Sequence, residues 1–429
     1  MKNNTILLPL SLALLATAAC GGSTTSSNPN EGQDSGMAAD TGAVLDSGGA
    51  VTDSGVGGDT GSGVVDSGPM GVDGGKFVAV PLDMCGPALQ YTATATIGGS
   101  QQFQLAVDTG SGSLGVAGST CSNCGVSPEY APDSTAMDEM QAVNAQYGSG
   151  SWNGEIYQDN VALGPSMAVP VKFGSMTDQS SFLQPGQTQC VAHPSGGGNQ
   201  GIVGFGPAAS SFPGTDGFWD VYSPTEMIPN LFAMKLCDTS GTLYLGGFDG
   251  NAVTAPPQFT PMVGGQLAST YYLIDFETIT VGTGGTAIPV GNGRPSLVDT
   301  GTSIFILNTN AYNSVLAALN ADSMVSAILG PSFLTNGGCE AVQQSKAQLD
   351  AMLPPLTLTF GTGANAITIN AAPTDSYIYF AGNQDWCVGI TGGNTGVGGI
   401  MGAPILKSNV VIWDRANSQI GFAPKSPCP

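Results

Sequence analysis

Two aspartates in this sequence are surrounded by residues that could hold a carboxyl group in a fixed position. Asp108 lies in the stretch AVDTGSGSLGV and Asp299 in SLVDTGTSIFIL, so each begins a DTG tripeptide. Two carboxyl groups within hydrogen-bonding distance do not both ionise readily, and the pair then shares one proton. One member can accept a proton from water while the other donates a proton to a carbonyl oxygen. These residue types therefore permit hydrolysis by an activated water.

DTG also occurs at Asp40 and Asp59, but the surroundings of these two copies differ. Both lie among Gly, Ser and Asp residues, with no apolar strand before them. A catalytic carboxylate needs packed neighbours to keep its geometry. We therefore assign no chemistry to Asp40 or Asp59.

The sequence around the other two copies predicts strands that end at the aspartates. In QQFQLAV, directly before Asp108, apolar and more polar residues alternate, which is typical of a strand with one buried face. PSLV precedes Asp299 and SIFIL follows it. We expect a turn after each aspartate, in which Gly110 and Gly301 supply a backbone conformation that other residues resist.

A second pair of segments follows the two motifs at similar distances. GIVGFG occupies residues 201–206 and GGIMGAPIL residues 398–406, each roughly a hundred residues after a DTG. Two apolar residues followed by glycine suit a strand that passes close beside a tight turn. The duplication predicts two similar β-rich lobes that each contribute one aspartate to a shared cleft.

Composition and charge restrict the class of protein. The chain has 429 residues, 41% of them hydrophobic, which is enough for two lobes with sizeable cores. Only 9% of residues are charged, and the formal net charge is −22. This balance argues against nucleic acid or an anionic membrane surface as a partner.

The N-terminal region predicts export. Residues 1–20 carry one basic residue, a short apolar run and the small residues TAA before Cys20, an arrangement typical of a signal peptide and similar to a bacterial lipobox. We expect a lipid on Cys20 that holds the protein at the bacterial cell envelope; the alternative is an ordinary signal peptide and a secreted protein. Residues 21–75, rich in Gly, Ser and Asp, predict a flexible tether.

Seven segments, taken together and in their order, resemble the pepsin-like aspartic proteases over residues 85–427. They are DTGS at 108–111, DTGT at 299–302, the segments GIVGFG and GGIMGAPIL, the hairpin QYGSGSWNGEI, the strand GTLYLGGFDG and the ending VVIWDRANSQIGFAP. The resemblance implies an all-β (mainly β) bilobal fold with an N-terminal lobe at 76–252 and a C-terminal lobe at 253–429. It also implies Asp108 and Asp299 as the catalytic pair, and peptide or protein substrates. No cofactor is implied, and because both motifs lie on one chain we expect a monomer.

The resemblance assigns further roles near the aspartates. Ser111 and Thr302 would hydrogen-bond the two carboxylates from outside, next to Gly110 and Gly301. The tripeptide Tyr147, Gly148, Ser149 would belong to a mobile flap that closes over substrate.

One position departs from the family pattern. Many members have a tryptophan where this chain has Gly115, and that tryptophan bonds the flap tyrosine. Trp152 could fill the space that this substitution leaves, or it could be an exposed or packed residue of the hairpin. The geometry of the flap therefore stays open at the level of sequence.

The cysteines suit an oxidising compartment, because eight remain when Cys20 is set aside. By resemblance, Cys121 would pair with Cys124, and Cys339 with Cys387. The other four allow three pairings: Cys85, Cys190, Cys237 and Cys428. A zinc site that includes Cys121 and Cys124 is the alternative, but no second C-x-x-C exists, and we expect no metal.

Other functions fit the sequence less well. The chain has one histidine, His193, and lacks both a zinc-protease histidine pair and a G-x-S-x-G motif. The alternative from another class is a catalytically silent binding or inhibitor protein with the pepsin fold. The presence of both Asp108 and Asp299 favours an endopeptidase that cuts extended peptides and prefers apolar residues at the cut.

Overall fold

The structure is a computed structural model that describes residues 77–85, 89–183, 198–265, 267–363, 366–382 and 385–428. The predicted signal peptide and the predicted tether lie outside these residues, as do Cys20, Asp40, Asp59, Cys190 and His193.

Strands form most of the described regular structure. In the first half of the chain they are β1 (Val78–Cys85), β2 (Gln90–Ile97), β3 (Gln101–Asp108), β4 (Leu114–Ala117), β5 (Met137–Gln146), β6 (Ser151–Leu163), β7 (Val169–Ser180), β8 (Gly201–Gly204), β9 (Leu231–Leu236) and β10 (Ser240–Leu245). In the second half they are β11 (Gln258–Pro261), β12 (Leu273–Ile274), β13 (Phe276–Val281), β14 (Ile288–Pro289), β15 (Ser296–Val298), β16 (Phe305–Asn308), β17 (Cys339–Ala341), β18 (Leu356–Phe360), β19 (Ile367–Ala371), β20 (Ile378–Gly382), β21 (Asp385–Val388), β22 (Ile390–Gly393), β23 (Gly399–Met401), β24 (Asn409–Asp414) and β25 (Gln419–Pro424). The fold is mainly β, as the sequence predicted.

The helices are short, and most lie in the second half of the chain. They are α1 (Phe218–Thr225), α2 (Thr309–Ala321), α3 (Ser323–Leu329), α4 (Phe333–Asn336), α5 (Lys346–Met352) and α6 (Ala403–Leu406). Polar side chains define where the longer ones begin. Asn308 accepts from two backbone N–H groups at the start of α2, and Ser345 forms a reciprocal capping box with Gln348 at the start of α5. None of the helices in the described part of the chain combines the length and the apolar composition that a membrane crossing requires.

One large sheet joins strands from both halves of the chain. Its thirteen described strands run in the order β11-β25-β24-β9-β10-β1-β2-β3-β8-β4-β7-β6-β5. This sheet therefore contains β24 and β25, the last two described strands of the chain, together with β1, the first. Smaller sheets have the orders β12-β15-β23-β16-β22, β14-β13-β18-β19 and β17-β21-β20.

Two four-stranded arrangements repeat the same pattern, and they contain the two DTG motifs. In the first, β8 lies between β3 and β4, parallel to β3 and antiparallel to β4, and β4 runs parallel to β7. In the second, β23 lies between β15 and β16 with the same two directions, and β16 runs parallel to β22. The duplication seen in the sequence is thus a duplication of topology, as a bilobal pepsin-like fold requires.

The strand before Asp108 is buried more completely than its alternating pattern indicated. Gln104, expected on a polar face, is only 4% exposed. Its amide donates to Thr94 and accepts from Thr92, and its backbone N–H donates to the side chain of Gln200. The prediction of one buried face is therefore wrong for Gln104, because partners on neighbouring strands satisfy its polar atoms and allow burial.

Candidate active site

Asp108 and Asp299 occupy equivalent places at the ends of two strands. Asp108 is the last residue of β3 and lies opposite Gly204 on the parallel strand β8. Asp299 directly follows β15, and its backbone N–H donates to the carbonyl of Met401 at 3.1 Å. The two aspartates are 5% and 8% exposed. Backbone pairing with buried strands thus fixes both residues in a nearly dry environment.

The two carboxyl groups lie close together, since a single Cβ atom placed at Gly301 would meet Oδ1 of both Asp108 and Asp299. The glycines after them make this approach possible. A Cβ atom at Gly110 would lie 2.7 Å from Oδ1 of Asp299, and one at Gly301 would overlap the carboxyl of Asp108. Neither glycine has a positive φ. The expectation that these glycines supply an unusual backbone conformation is therefore wrong, and the reason for glycine is the space that the opposite carboxyl needs.

Each carboxyl accepts two hydrogen bonds from its own motif. The backbone N–H of Gly110 and the hydroxyl of Ser111 donate to Asp108 at 2.7 and 2.5 Å. The backbone N–H of Gly301 and the hydroxyl of Thr302 donate to Asp299 at 2.9 and 2.5 Å. The structure therefore brings together all four residues that the resemblance assigned to support of the pair.

The middle residues of the two DTG motifs hold the halves of the site together. The backbone N–H of Thr109 donates to Oγ1 of Thr300 at 3.1 Å, and the backbone N–H of Thr300 donates to Oγ1 of Thr109 at 3.0 Å. Both threonines are buried. Sequence reasoning did not assign a role to either residue, although their identical place in the two motifs was a signal that could have identified them.

Burial and mutual repulsion govern the electrostatics of the pair. Loss of hydration raises the pKa of Asp108 well above its usual range, and the charge of Asp299 raises it further. The bonds from Ser111 and Gly110 oppose this shift in the pKa without cancelling it. The site therefore favours a state in which the pair retains a proton. Tyr271, to which sequence reasoning assigned no role, lies close enough for both carboxylates to add to the rise that burial causes in its own pKa.

A hairpin of β5 and β6 carries the residues that were predicted to form a flap. Its turn contains Tyr147, Gly148 and Ser149, and the backbone N–H of Tyr147 donates to the carbonyl of Gly150 at 2.8 Å. The ring of Tyr147 lies 4.8 Å from that of Phe182, measured between centroids. Burial raises the pKa of Tyr147, and the charge of Asp108 adds to that rise, so the phenol lies within electrostatic reach of the pair.

Comparison with known proteins agrees with this geometry. Residues 90–425 match the family model for eukaryotic aspartyl proteases. The chain belongs to this family.

Several aspartic proteases are similar to this one over most of its length. An aspartic protease of Phaffia rhodozyma is 27% identical over 343 residues, which cover 78% of this chain and 76% of that protein. Pepsin-2B of Gadus morhua is 26% identical over 349 residues, covering 78% of this chain and 96% of that protein. Pepsin A of Callithrix jacchus is 28% identical over 357 residues, covering 78% and 81% respectively. The protein is thus an aspartic-type endopeptidase.

Trp152 of this aspartyl protease occupies the space above Gly115. A Cβ atom at Gly115 would lie 2.7 Å from Cζ2 of the indole, and one at Gly174 would lie 2.5 Å from Cη2. The side chain is 1% exposed. Of the alternatives that the sequence left open, the structure therefore shows a tryptophan packed into the gap at Gly115.

The disulfide bonds of the protease join cysteines that are 3, 48 and 191 positions apart in the chain. Cys121 is joined to Cys124, and Cys339 to Cys387, as the resemblance implied. Cys237 is joined to Cys428, which resolves one pairing that the sequence left open. Cys85 is also disulfide-bonded.

The bond between Cys121 and Cys124 is incompatible with the alternative of a zinc site at these residues. In the described ranges, no three His, Cys, Asp or Glu side chains are grouped so that they could hold a metal ion.

Proposed function

We propose that Asp108 and Asp299 are the catalytic pair of this endopeptidase and that they act on a water molecule bound between them. The observation that carries the proposal is the close approach of two buried carboxyls, each of which accepts hydrogen bonds from one N–H and one hydroxyl. Because burial and the neighbouring charge disfavour double ionisation, the pair shares one proton, a splitting for which aspartic proteases are the standard example.

The shared proton allows both halves of the reaction. One carboxylate accepts a proton from the water as the water attacks the scissile carbonyl, and the other carboxyl protonates the carbonyl oxygen. The product of this step is a tetrahedral intermediate without a covalent bond to the enzyme. The apparent pKa values belong to the pair, so we assign the charge to neither aspartate alone.

The substrates in this proposal are extended peptides with apolar side chains at the cut. A peptide between the flap and the pair would bind through strand-like backbone hydrogen bonds. Tyr147, Phe182 and Phe212 form an aromatic group beside the flap turn, with ring centroids 4.8 and 5.6 Å from that of Tyr147. Such a surface favours apolar side chains.

Peptide-library cleavage with a statine-type inhibitor tests the catalytic assignment. We expect cleavage by the wild type, inhibition by pepstatin, and a loss of about 10³-fold or more in Asp299→Ala. Asp385→Ala is the matched control, since Asp385 lies in β21 and is partly exposed. A silent binding protein would give no cleavage in any variant, and an Asp299→Ala variant with wild-type activity would contradict the proposed roles.

We further propose that the enzyme acts outside the cytoplasm as a monomer, anchored by a lipid on Cys20 or secreted. The described disulfide bonds support export. Mass measurement of the native N-terminal peptide distinguishes a lipidated Cys20 from a simple cleavage product. Sedimentation of the purified protein tests the monomer.

A further inference from the structure

The disulfide bond between Cys121 and Cys124 closes a loop at the surface of the enzyme. Only Ser122 and Asn123 separate the two cysteines, and both of these residues are exposed. Cys121 is partly exposed, whereas Cys124 is buried. The bond therefore presents one of its cysteines to reagents in solvent.

This bond is the one that the overall fold needs least. Among the disulfide bonds whose two cysteines are both described, it joins the closest pair, with a separation of 3 positions against 48 and 191. A bond that closes a short loop restricts the unfolded chain least, so its loss costs the least stability. The enzyme is therefore expected to stay folded when this bond is opened.

The disulfide loop is tied to the end of β7 by hydrogen bonds in both directions. The side-chain amide of Asn123 donates to the carbonyl of Gln179 at 2.7 Å, and its oxygen accepts from the backbone N–H of Gln179 at 2.9 Å. The side-chain amide of Gln179 donates back to the carbonyl of Asn123 at 3.1 Å. The position of the loop therefore fixes Gln179.

Gln179 in turn holds the residues that follow β7. Its Oε1 accepts from the backbone N–H groups of Phe182 and Leu183 at 2.9 and 3.2 Å. Ser181 has a φ of 56°, a conformation that a residue other than glycine keeps only where its surroundings impose it. The turn at 180–183 therefore depends on Gln179 for its shape.

The same turn supports the aromatic group beside the flap. The ring of Phe182 lies 4.8 Å from that of Tyr147, measured between centroids. A Cβ atom at Gly150 of the flap hairpin would overlap the carbonyl of Ser180 and lie 2.6 Å from the backbone nitrogen of Phe182. Cys124 belongs to the same small hydrophobic cluster as both rings. A displacement of the turn therefore moves the surface that is proposed to contact substrate.

We propose that the bond between Cys121 and Cys124 is a site of reversible reduction that controls how tightly the enzyme binds peptides. The partner is a dithiol. Its first thiolate attacks Sγ of Cys121, the bond between the two Sγ atoms breaks, and Cys124 leaves as a thiolate that takes up a proton. The second thiol of the partner then displaces Cys121. The enzyme ends with two thiols and the partner with an internal disulfide, so atoms and electrons balance.

Reduction acts on peptide binding because it loosens the link from the loop to the turn. The thiols separate, the bonds between Asn123 and Gln179 weaken, and Ser181 relaxes from its imposed conformation. Asp108 and Asp299 keep their support, since those hydrogen bonds come from their own motifs. KM is then expected to rise with little change in kcat. This inference rests on the proposed function, since it concerns regulation of the same site.

Treatment of the folded wild-type enzyme with dithiothreitol tests the inference. Peptide cleavage is measured with and without the reagent, and a parallel sample is unfolded and alkylated so that peptide mass mapping identifies the reduced cysteines. We expect KM to rise about fivefold as Cys121 and Cys124 become reduced, with kcat changed less than about twofold, and reoxidation to restore KM. An unchanged KM with both cysteines reduced, or a bond that resists the reagent, would overturn the inference.

Asn123→Ala separates the loop from Gln179 while the disulfide bond stays intact. Its KM should equal that of the reduced wild type within about twofold, and dithiothreitol should raise it less than about twofold further, because both changes break the same link. Additive effects would contradict the inference. Asn251→Ala is the matched control, since Asn251 is also exposed but bonds to Asp249 in its own turn. Its KM and its response to dithiothreitol should equal those of the wild type.

Cysteine variants identify the bond that is responsible. The double variant Cys121→Ser, Cys124→Ser should have the raised KM without the reagent and no response to it. Cys339→Ser, Cys387→Ser removes another bond with an exposed cysteine, and should keep the wild-type KM and response. If either variant does not fold, mass mapping of the wild type decides, because KM should follow reduction of Cys121 rather than that of Cys339.

The same measurements separate failure of the inference from failure of the proposed function. Cleavage by the untreated wild type with a KM that does not respond to reduction of Cys121 and Cys124 would overturn the inference alone. Absence of cleavage by the untreated wild type would overturn the proposed function.

Discussion

Thr300 bonds to the opposite half of the site through both functions of its hydroxyl group. Its Oγ1 accepts from the backbone N–H of Thr109 at 3.1 Å and donates to the carbonyl of Val107 at 2.7 Å. Thr109 does the same in the other direction, donating to the carbonyl of Val298 at 3.1 Å. The strands that end at Asp108 and Asp299 are thus fixed relative to each other by side chains that are adjacent to the carboxyls.

Removal of the Thr300 hydroxyl is expected to destabilise the protein. Thr300→Val leaves the N–H of Thr109 and the carbonyl of Val107 buried without partners, which should lower the free energy of unfolding by about 2–4 kcal/mol. Thr300→Ser keeps the hydroxyl and should lower it by less than about 1.5 kcal/mol. Urea unfolding at constant pH measures both changes. Equal stabilities of the two variants would show that the hydroxyl bonds contribute nothing.

An added methyl group at Gly110 is expected to separate the two carboxyls. The new Cβ would lie within 2.9 Å of all three terminal atoms of the Asp299 carboxyl group, so that side chain must move. We expect Gly110→Ala to lower kcat/KM by about 100-fold or more, because small displacements of reacting groups have large effects on rate. Steady-state peptide cleavage is the measurement.

Gly264→Ala is the control for that experiment. A Cβ at Gly264 meets no atom within 4 Å, and the residue does not have a positive φ. Its activity should equal that of the wild type. If Gly110→Ala were equally active, the close approach at the pair would not be needed for catalysis.

The raised pKa of Asp108 predicts how stability depends on pH. A carboxyl whose pKa is higher in the folded protein than its usual 3.8 stabilises the fold below that value, and this contribution is lost as pH rises through the folded pKa. We expect Asp108→Asn to be more stable than the wild type near neutral pH, with a smaller difference below pH 3.8. Urea unfolding of both proteins over a series of pH values tests this. A difference that does not change with pH would contradict it.

A buried cluster of charges should show the opposite dependence. Burial alone would raise the pKa of Asp375, but the ammonium groups of Lys407, Lys425 and Lys346 outweigh it and lower the pKa to about 2. The distances from these nitrogens to the Asp375 carboxylate are 3.5, 3.1 and 2.7 Å. A lowered carboxyl pKa stabilises the fold above the unfolded value of 3.8, and that contribution is lost as pH falls towards 2.

We therefore expect Asp375 to contribute about 2 kcal/mol to stability at pH 5 and little at pH 2. Asp375→Asn should be destabilised at pH 5 by at least that amount, because the Lys407 side chain is only 1% exposed and would lose one of its two carboxylate partners. The difference from the wild type should shrink between pH 4 and pH 2. Urea midpoints measured in this range provide the test, and a constant difference would exclude the electrostatic explanation.

Local patterns in the sequence were sufficient to predict the strands and turns that carry Asp108 and Asp299. The strands before Asp108 and Asp299, the Thr-Gly turns after them and the paired glycine segments depend on residues that are adjacent in the chain. Alternation and glycine content report such features directly. The support from Ser111 and Thr302 is equally local, since each lies three positions after its aspartate.

The sequence did not show why a residue type is needed at a position when the reason is a contact with another strand. The glycines at 110 and 301 were expected to need an unusual backbone, whereas they provide space for the carboxyl of the opposite motif. Gln104 is buried because Thr92 and Thr94 on the neighbouring strand β2 supply hydrogen-bond partners for its side chain. Alternation along one strand does not contain that information.

The sequence by itself determined the chemistry of this protein, because two DTG motifs and a duplicated β pattern are local and specific. Only the tertiary structure decided where Trp152 lies, that Cys237 is joined to Cys428, and that three lysines surround Asp375. The physical reason is that these contacts join strands and turns far apart in the chain. Their energies depend on distances across the fold, which residue order does not specify.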